Sequence, residues 1–210
     1  MTVAACDTET CQPTLREYLR SKQAQRDLEM AVSLLRAKID MSETAQKAGR
    51  PLYSMVCSRI KSEDSILGKI HRKQYQGTPN PMERMNDLLG VRLICNFLDD
   101  VYRVAEVIGA LPEVEMIRTK DYICHPKESG YRGLHLIFWL SLPGGRQIKL
   151  ETQLRTAAMN FWSELDHELC YKQGNTVSRQ RVSARLRRQA QVIAAMDQEM
   201  ILLRNEINSL

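Results

Sequence analysis

Apolar residues between Pro13 and Ala48 recur at helical spacing, as in Leu28, Val32, Leu35 and Ile39, before Gly49-Arg50-Pro51 interrupts them. The spacing predicts one or two amphipathic helices. A short strand over Tyr53 to Ile60 and a helix from Glu63 to Lys73 follow, ended by the breaker-rich segment Gly77 to Pro81. Leu88 to Phe97 (LLGVRLICNF) reads as a buried strand and Asp99 to Ala110 as a helix opened by an aspartate cap, which makes a βα unit. Val114 to Ile123, Leu134 to Leu140 and Arg146 to Leu154 predict three further strands joined by turns. The Pro-Gly-Gly turn before Arg146 favours a hairpin, hence a mixed sheet.

A helix from Thr156 to about Lys172 carries an apolar stripe through Ala158, Phe161, Trp162, Leu165 and Leu169, expected to pack on that sheet. After a Gly-Asn break, Val182 and Leu186 begin another helix. Its residues Ile193, Met196, Met200, Leu203, Ile207 and Leu210 form a heptad seam that suits either the chain's own core or a second subunit. The expected fold class is α/β (α+β), a mixed β-sheet flanked by helices. Helical extensions over residues 1–50 and 175–210 are expected to join a core over 51–174 in one structural unit.

Composition narrows the class. The 210 residues are 43% hydrophobic and 26% charged, a globular balance rather than a disordered one. No apolar run approaches the roughly 20 residues that cross a bilayer, and MTVAACDTET lacks the basic-then-apolar start of a signal peptide. A cytoplasmic protein without membrane contact is expected. Cys6, Cys11, Cys57, Cys95, Cys124 and Cys170 are scattered without a CxxC pair, which predicts reduced thiols and no zinc site. The net charge of +5 favours anionic partners, among them nucleotides, RNA and acidic proteins.

Candidate chemistry centres on Gln147 to Arg155. Ile148, Leu150, Thr152 and Leu154 point one way; Lys149, Glu151, Gln153 and Arg155 point the other. The pattern fits a sheet with one solvated face. The sharper reading is a carboxylate, an amide and a guanidinium standing on a cleft floor, where they could hold a polyanion and its metal. Arg59, Lys61, Lys69 and Arg72 cluster in SRIKSEDSILGKIHRK, with Lys69 and Arg72 three apart on one helix face. Four cations can neutralise a triphosphate, although a solvated basic helix has the same look. Asp87 stands at the mouth of the buried strand that carries Arg92, a position suited to Mg²⁺, which takes one or two carboxylates together with phosphate oxygens. The loop KDYICHPKESGYRGLH offers Lys120, Lys127 and Arg132 for phosphates, Tyr122 and Tyr131 for stacking, and Gly130 and Gly133 for close backbone approach.

Taken in order, RIKSEDSILGKIHRK, NDLLGVR, KDYI with PKESGYRGLH, LETQLRT and MNFWSELDHELCYK resemble the synthetase domain of the RelA/SpoT family, and in length and layout the small alarmone synthetases. The match runs from about Tyr53 to Lys172. It implies a nucleotidyltransferase-like fold and transfer of the ATP β,γ-pyrophosphate to the 3′-hydroxyl of GDP or GTP, with AMP leaving. By the same resemblance Asp87 is the Mg²⁺ ligand, and Glu151 contacts Mg²⁺ or takes the hydroxyl proton. Arg59, Lys61, Lys69, Arg72 and Arg92 fall on the ATP side. Tyr131 matches the tyrosine that stacks on guanine; Lys120, Lys127, His135, Gln153, Arg155 and Asn160 match the acceptor side. The chain has Thr152 and Leu154 where the family often shows isoleucines, and Gly133 where serine is common.

No His-Asp hydrolase motif precedes the match, so synthesis without alarmone hydrolysis is expected. The resemblance also implies a homo-oligomer, a tetramer in many relatives, and a possible alarmone effector. Two other readings share parts of the pattern. One is a toxin-type relative that pyrophosphorylates tRNA 3′ ends or adenine nucleotides, for which the basic stretch Arg179 to Arg188 would suit RNA; the other is a nucleotide-sensing module without catalysis, against which Asp87 and Glu151 both argue.

Overall fold

The computed structural model describes residues 14–75, 82–171 and 176–209. Its strands are β1 (Tyr53–Ile60), β2 (Leu89–Cys95), β3 (Val114–Asp121), β4 (Leu134–Ser141) and β5 (Gln147–Thr156). They form one sheet in the order β1-β2-β5-β4-β3. β2 and β5 pair in parallel, whereas β1 with β2, β4 with β5, and β3 with β4 pair antiparallel. The sheet is mixed as the turn chemistry predicts, and the parallel pair lies at its centre.

Three helices precede β1: α1 (Leu15–Arg20), α2 (Lys22–Asp40) and α3 (Glu43–Ala48). The periodicity predicts one or two there, and serine caps divide the run further. Ser21 and Ser42 have extended backbones, and their hydroxyls accept from the Ala24 and Ala45 amides at 3.3 and 3.1 Å, starting α2 and α3. Gly49, at φ +64°, stops α3. Pro13, the Gly77 to Pro81 breaker, Lys172 and Leu210 lie outside the described residues.

α4 (Glu63–Arg72) follows β1, and α5 (Leu98–Gly109) follows β2. The expected aspartate cap of α5 is corrected in detail. Phe97 occupies the cap position, and Asp100, in the first turn, reaches back to accept the Phe97 amide at 3.2 Å. Asp100 is fully buried against Arg50, at 2.7 Å, so the buried salt bridge fixes which aspartate serves the helix end.

One sheet face is closed by α2 and α5. Leu28, Leu35 and Ile39 of α2 and Val101, Val104 and Ile108 of α5 are 0–1% exposed and pack in one cluster with Val91, Leu93, Leu150, Leu154 and Phe138. Each such side chain contributes on the order of 1.5–3 kcal/mol by leaving water. Alternation then sends the polar residues of β5 to the opposite face.

The last two helices, α6 (Ala157–Tyr171) and α7 (Thr176–Asn208), depart from expectation. The α6 stripe does not lie on the sheet: Met159 and Trp162 are buried, but Phe161 is 61% exposed and Leu165 and Leu169 are exposed too. Trp162 turns instead to α7, donating to the Leu186 carbonyl at 2.9 Å and packing with Leu186, Ala190 and Tyr131 in a second, smaller cluster. On α7 the protein-facing side runs through Leu186, Ala190, Ile193, Asp197, Ile201 and Arg204. Most of the predicted seam faces outward, with Met196, Met200, Leu203 and Ile207 exposed. Two charged residues on the inner face break the hydrophobic pattern that would have revealed it. Among the described residues no helix is long and apolar enough to cross a membrane.

Candidate active site

Cross-strand partners share a sheet face, so the register itself assembles the site. One row runs Arg59, Gly90, Glu151, Ile137 across β1, β2, β5 and β4; the next runs Cys57, Arg92, Gln153, His135, Lys120 from β1 to β3. Both lie on the face opposite α2 and α5. Gly90, in mid-strand between Arg59 and Glu151, leaves room where any side chain would fill the floor. A cavity of about 170 Å³ opens there, bounded by Arg59, Asp87, Gly90, Arg92, Glu151 and Gln153.

Asp87 precedes β2 and receives two cations. Lys61 Nζ lies 3.0 Å from its Oδ2, and Lys69 Nζ, from α4, lies 2.8 Å from Oδ1. Burial raises the pKa of this carboxyl, but the two lysines outweigh it and hold the group below the ordinary aspartate value. Oδ1 is buried and has Lys69 as ion-pair partner without a hydrogen bond of good geometry. Asp87 and Glu151 therefore present two ionised carboxylates to one cavity, close enough that the Asp87 charge raises the Glu151 pKa. Two carboxylates fit a Mg²⁺ ion that draws its remaining oxygens from phosphate and water. Among the described residues no group of three or more His, Cys, Asp or Glu could hold a metal by itself.

Glu151 ends a directional chain of hydrogen bonds. Arg155 Nη2 donates to Tyr131 Oη at 2.9 Å, Tyr131 Oη lies 2.6 Å from His135 Nε2, and His135 Nδ1 lies 3.2 Å from Glu151 Oε1. A guanidinium only donates, so the tyrosine proton must point to Nε2, and the neutral imidazole then presents Nδ1–H to the carboxylate. Burial keeps His135 neutral by lowering its pKa, against the pull of Glu151. Gln153 Nε2 donates to Glu151 Oε2 at 3.0 Å. Burial pushes the Glu151 carboxyl up, yet the His135 and Gln153 bonds leave it net below the ordinary value and ionised.

Three guanidiniums crowd this wall. Loss of water and the charges of Arg155 and Arg59 lower the Arg92 pKa, a measure of mutual repulsion that a polyanion would relieve. Asn160, in the first turn of α6, accepts from Arg92 at 3.2 Å and from Arg155 at 3.4 Å. Lys127 Nζ sits over the rings of Tyr122 and Tyr131 at 4.6 and 4.5 Å. Desolvation and then Lys120, Arg155 and Lys69 push its pKa down, with Glu151 opposing.

Residues 58–176, more than half of the chain, match the region found in RelA/SpoT proteins. The chain belongs to the RelA/SpoT family. It is 37% identical over 155 residues to the GTP pyrophosphokinase YwaC of Bacillus subtilis, covering 72% of this chain and 73% of that one. It also superposes on crystal structures of small alarmone synthetase 1 from the same organism. The form bound to its product pppGpp is 34% identical with a TM-score of 0.72, over 90% of this chain and 100% of that one. The form bound to AMPCPP is 31% identical with a TM-score of 0.66, over the same shares.

Every candidate residue from Arg59 to Asn160 falls within the RelA/SpoT region. Asp87, Glu151, Arg59 and Arg92 line the cavity, Lys61 and Lys69 pair with Asp87, and His135, Tyr131, Gln153, Arg155, Asn160 and Lys127 form the adjoining network; Lys120 lies beside His135 in register. Arg72 is different: it is exposed in the last turn of α4 and does not reach the cavity wall. The tyrosine expected to stack is buried, with Lys127 and Arg155 both placed over its ring, at 4.5 and 5.0 Å. Gly130 and Gly133 serve the protein's own packing. Gly130 has φ +97°, and a Cβ there would meet the Ala190 Cβ at 2.8 Å; at Gly133 it would meet Tyr131 Oη at 3.1 Å. Sequence reasoning missed Gly90, although a glycine inside a strand pattern is itself a sign of close approach. It also missed Asp197, which no motif flags, and gave no role to Thr156, the last residue of LETQLRT.

Proposed function

We propose that this RelA/SpoT-family chain is a GTP/GDP pyrophosphokinase, a (p)ppGpp synthetase that moves the β,γ-pyrophosphate of ATP onto the 3′-hydroxyl of GDP or GTP. The single observation that carries the reading is the pairing of Asp87 and Glu151 at one cavity whose walls include Arg59 and Arg92, with Lys61 and Lys69 ion-paired to Asp87. The names of the relatives agree with it.

In the proposed reaction the 3′-oxygen bonds to the β-phosphorus and the bond from that phosphorus to the α,β-bridging oxygen breaks, so AMP leaves with the bridging oxygen. Glu151 takes the hydroxyl proton, a contribution on the order of 10²–10⁴-fold for a positioned base. His135 and Gln153 aim its two oxygens, and the lowered pKa keeps it ready to accept. Arg59, Lys61, Lys69 and Arg92 neutralise the triphosphate; phosphoryl transfer depends mainly on such alignment and charge stabilisation. Asp87 and Glu151 would hold Mg²⁺, which when bound would offset the charge of the phosphates. On the acceptor side, Tyr131 would stack on guanine, with Lys127, Lys120, His135, Gln153, Arg155 and Asn160 around the phosphates and ribose.

The proposal extends to a cytoplasmic, synthesis-only enzyme that self-associates, tetramerically by family resemblance. The outward Met196, Met200, Leu203 and Ile207 support self-association. A monomeric mass in solution would refute that part.

Incubation with labelled ATP and a panel of GDP, GTP, adenine nucleotides and tRNA tests the reaction. Label is expected on the 3′-position of the guanine nucleotides, dependent on Mg²⁺, and added ppGpp is expected to survive intact. Label on tRNA or adenine nucleotides alone would sink the reading.

A further inference from the structure

Two buried polar side chains adjoin the site without belonging to it. Asp197, on the inner face of α7, is 7% exposed, and Thr156, the last residue of β5, is 1% exposed. Thr156 Oγ1 donates to Asp197 Oδ2 at 2.9 Å and accepts from the Met159 amide at 3.1 Å. The bond to Asp197 commits the hydroxyl's one proton, so the oxygen must face the first-turn amides of α6, which lack helical acceptors. Thr156 is thus the N-cap of α6, and the carboxylate orients the cap.

That turn carries Asn160, whose Oδ1 accepts from Arg92 on β2 and Arg155 on β5. The two guanidiniums repel each other and need a shared acceptor to stand side by side. Arg155 is the neighbour of Thr156, and its Nη2 is separately bound to Tyr131 and Gln153. A shift of the first α6 turn therefore reaches Arg92 and Arg155 together.

We infer that Asp197 is a positioning residue: through Thr156 and the cap of α6 it sets the Asn160 oxygen that holds Arg92 and Arg155 together for the nucleotide. The inference rests on the reading of Arg92 and Arg155 as nucleotide-binding groups. Seven residues further along the same face, Arg204 docks α7 on α5 through Asp99 at 2.8 Å and the Phe97 ring at 4.7 Å. Its loss loosens the helix without touching the cap, which supplies a control for stability alone.

The test compares Asp197→Ala, Thr156→Val and their double variant with Asp197→Asn, Thr156→Ser, Arg204→Ala and the unaltered chain. Steady-state kinetics, melting and amide hydrogen exchange at Met159 are read on each. Asp197→Ala and Thr156→Val are expected to raise KM for both nucleotides about fivefold to tenfold with kcat held within about twofold. The double variant should be no worse than the weaker single, because both break one chain. Asp197→Asn and Thr156→Ser keep the oxygen and the hydroxyl, and should keep KM. Arg204→Ala should lower the melting temperature and leave KM alone.

Faster exchange at Met159 with unchanged KM in Thr156→Val would overturn the inference, as would an equal KM rise in Arg204→Ala. If Asp197→Ala does not fold, the nearly isosteric Thr156→Val decides. If the unaltered chain transfers no pyrophosphate, the proposed reaction fails on its own; ATP affinity by calorimetry across the same variants then judges the positioning role, and equal affinities reject it.

Discussion

Lys69 Nζ stands 2.8 Å from Asp87 Oδ1, so a cation from α4 already covers the carboxylate proposed to hold the metal. Ligand and counter-ion compete for one oxygen. Removing the ammonium should have opposite effects on the two partners of the site. Lys69→Ala is expected to weaken ATP binding by about tenfold, in line with one lost charge-assisted contact, and to tighten Mg²⁺ binding measured without nucleotide. Calorimetric titration of each ligand reads both. Weaker Mg²⁺ binding in the variant would mean that Lys69 supports the metal site rather than competing with it.

Glu151→Gln keeps the size of the side chain and the carbonyl oxygen that accepts from Gln153 or His135. What it loses is the basic carboxylate. Turnover should fall about 10²–10⁴-fold while the affinity for ATP and GDP changes little, since positioned bases contribute to the transition state rather than to ground-state binding. Single-turnover rates and calorimetry separate the two. A variant with normal turnover removes Glu151 from the role of base.

Tyr131 carries two proposed tasks that substitution can split. Its hydroxyl passes Arg155's donation on to His135, whereas its ring is the proposed guanine platform. Tyr131→Phe keeps the ring and strands His135 Nε2, so kcat should drop about tenfold, as expected for one lost buried hydrogen bond, with the guanine nucleotide KM near its original value. Tyr131→Ala should raise that KM as well. Equal kinetics for the phenylalanine variant and the unaltered chain would show that the chain to Glu151 does no catalytic duty.

The sequence pattern and the structure agree most closely where periodicity is clean. β5 alternates without interruption, and Lys149, Glu151, Gln153 and Arg155 emerge on one face as the alternation requires. Asp87, Lys61 and Lys69 are far apart in the chain, but the motif order brings them to one place once β1, α4 and β2 are set. α6 and α7 are where reading by hydrophobicity fails. The buried side of α7 includes Asp197 and Arg204, each paired with a polar group elsewhere in the fold, and a burial pattern that includes charges has no apolar period to detect. The exposed methionines and leucines of α7 then stand out as a seam, though they face away from the protein's own core. Thr156 is hidden for a related reason: the sequence reads it as the start of a helix, yet its cap is oriented by a carboxylate 41 positions away.

That carboxylate also gives the protein a pH signature. Burial pushes the Asp197 pKa above its ordinary value of 3.8, against the opposing Thr156 hydrogen bond and Arg132 charge. A raised pKa in the folded state means that folding binds the proton more tightly than the unfolded chain does. The stability from this group is full below the unfolded value and is lost as pH rises through the folded one. Asp197→Asn removes the titration while keeping an oxygen for Thr156. The stability of the variant relative to the unaltered chain should therefore increase from about pH 4 upward and level off once Asp197 is ionised in the folded chain. Denaturant melts across that range measure the difference. A difference that stays constant with pH, or one that shifts toward the unaltered chain as pH rises, would show that the Asp197 charge is well accommodated where it lies.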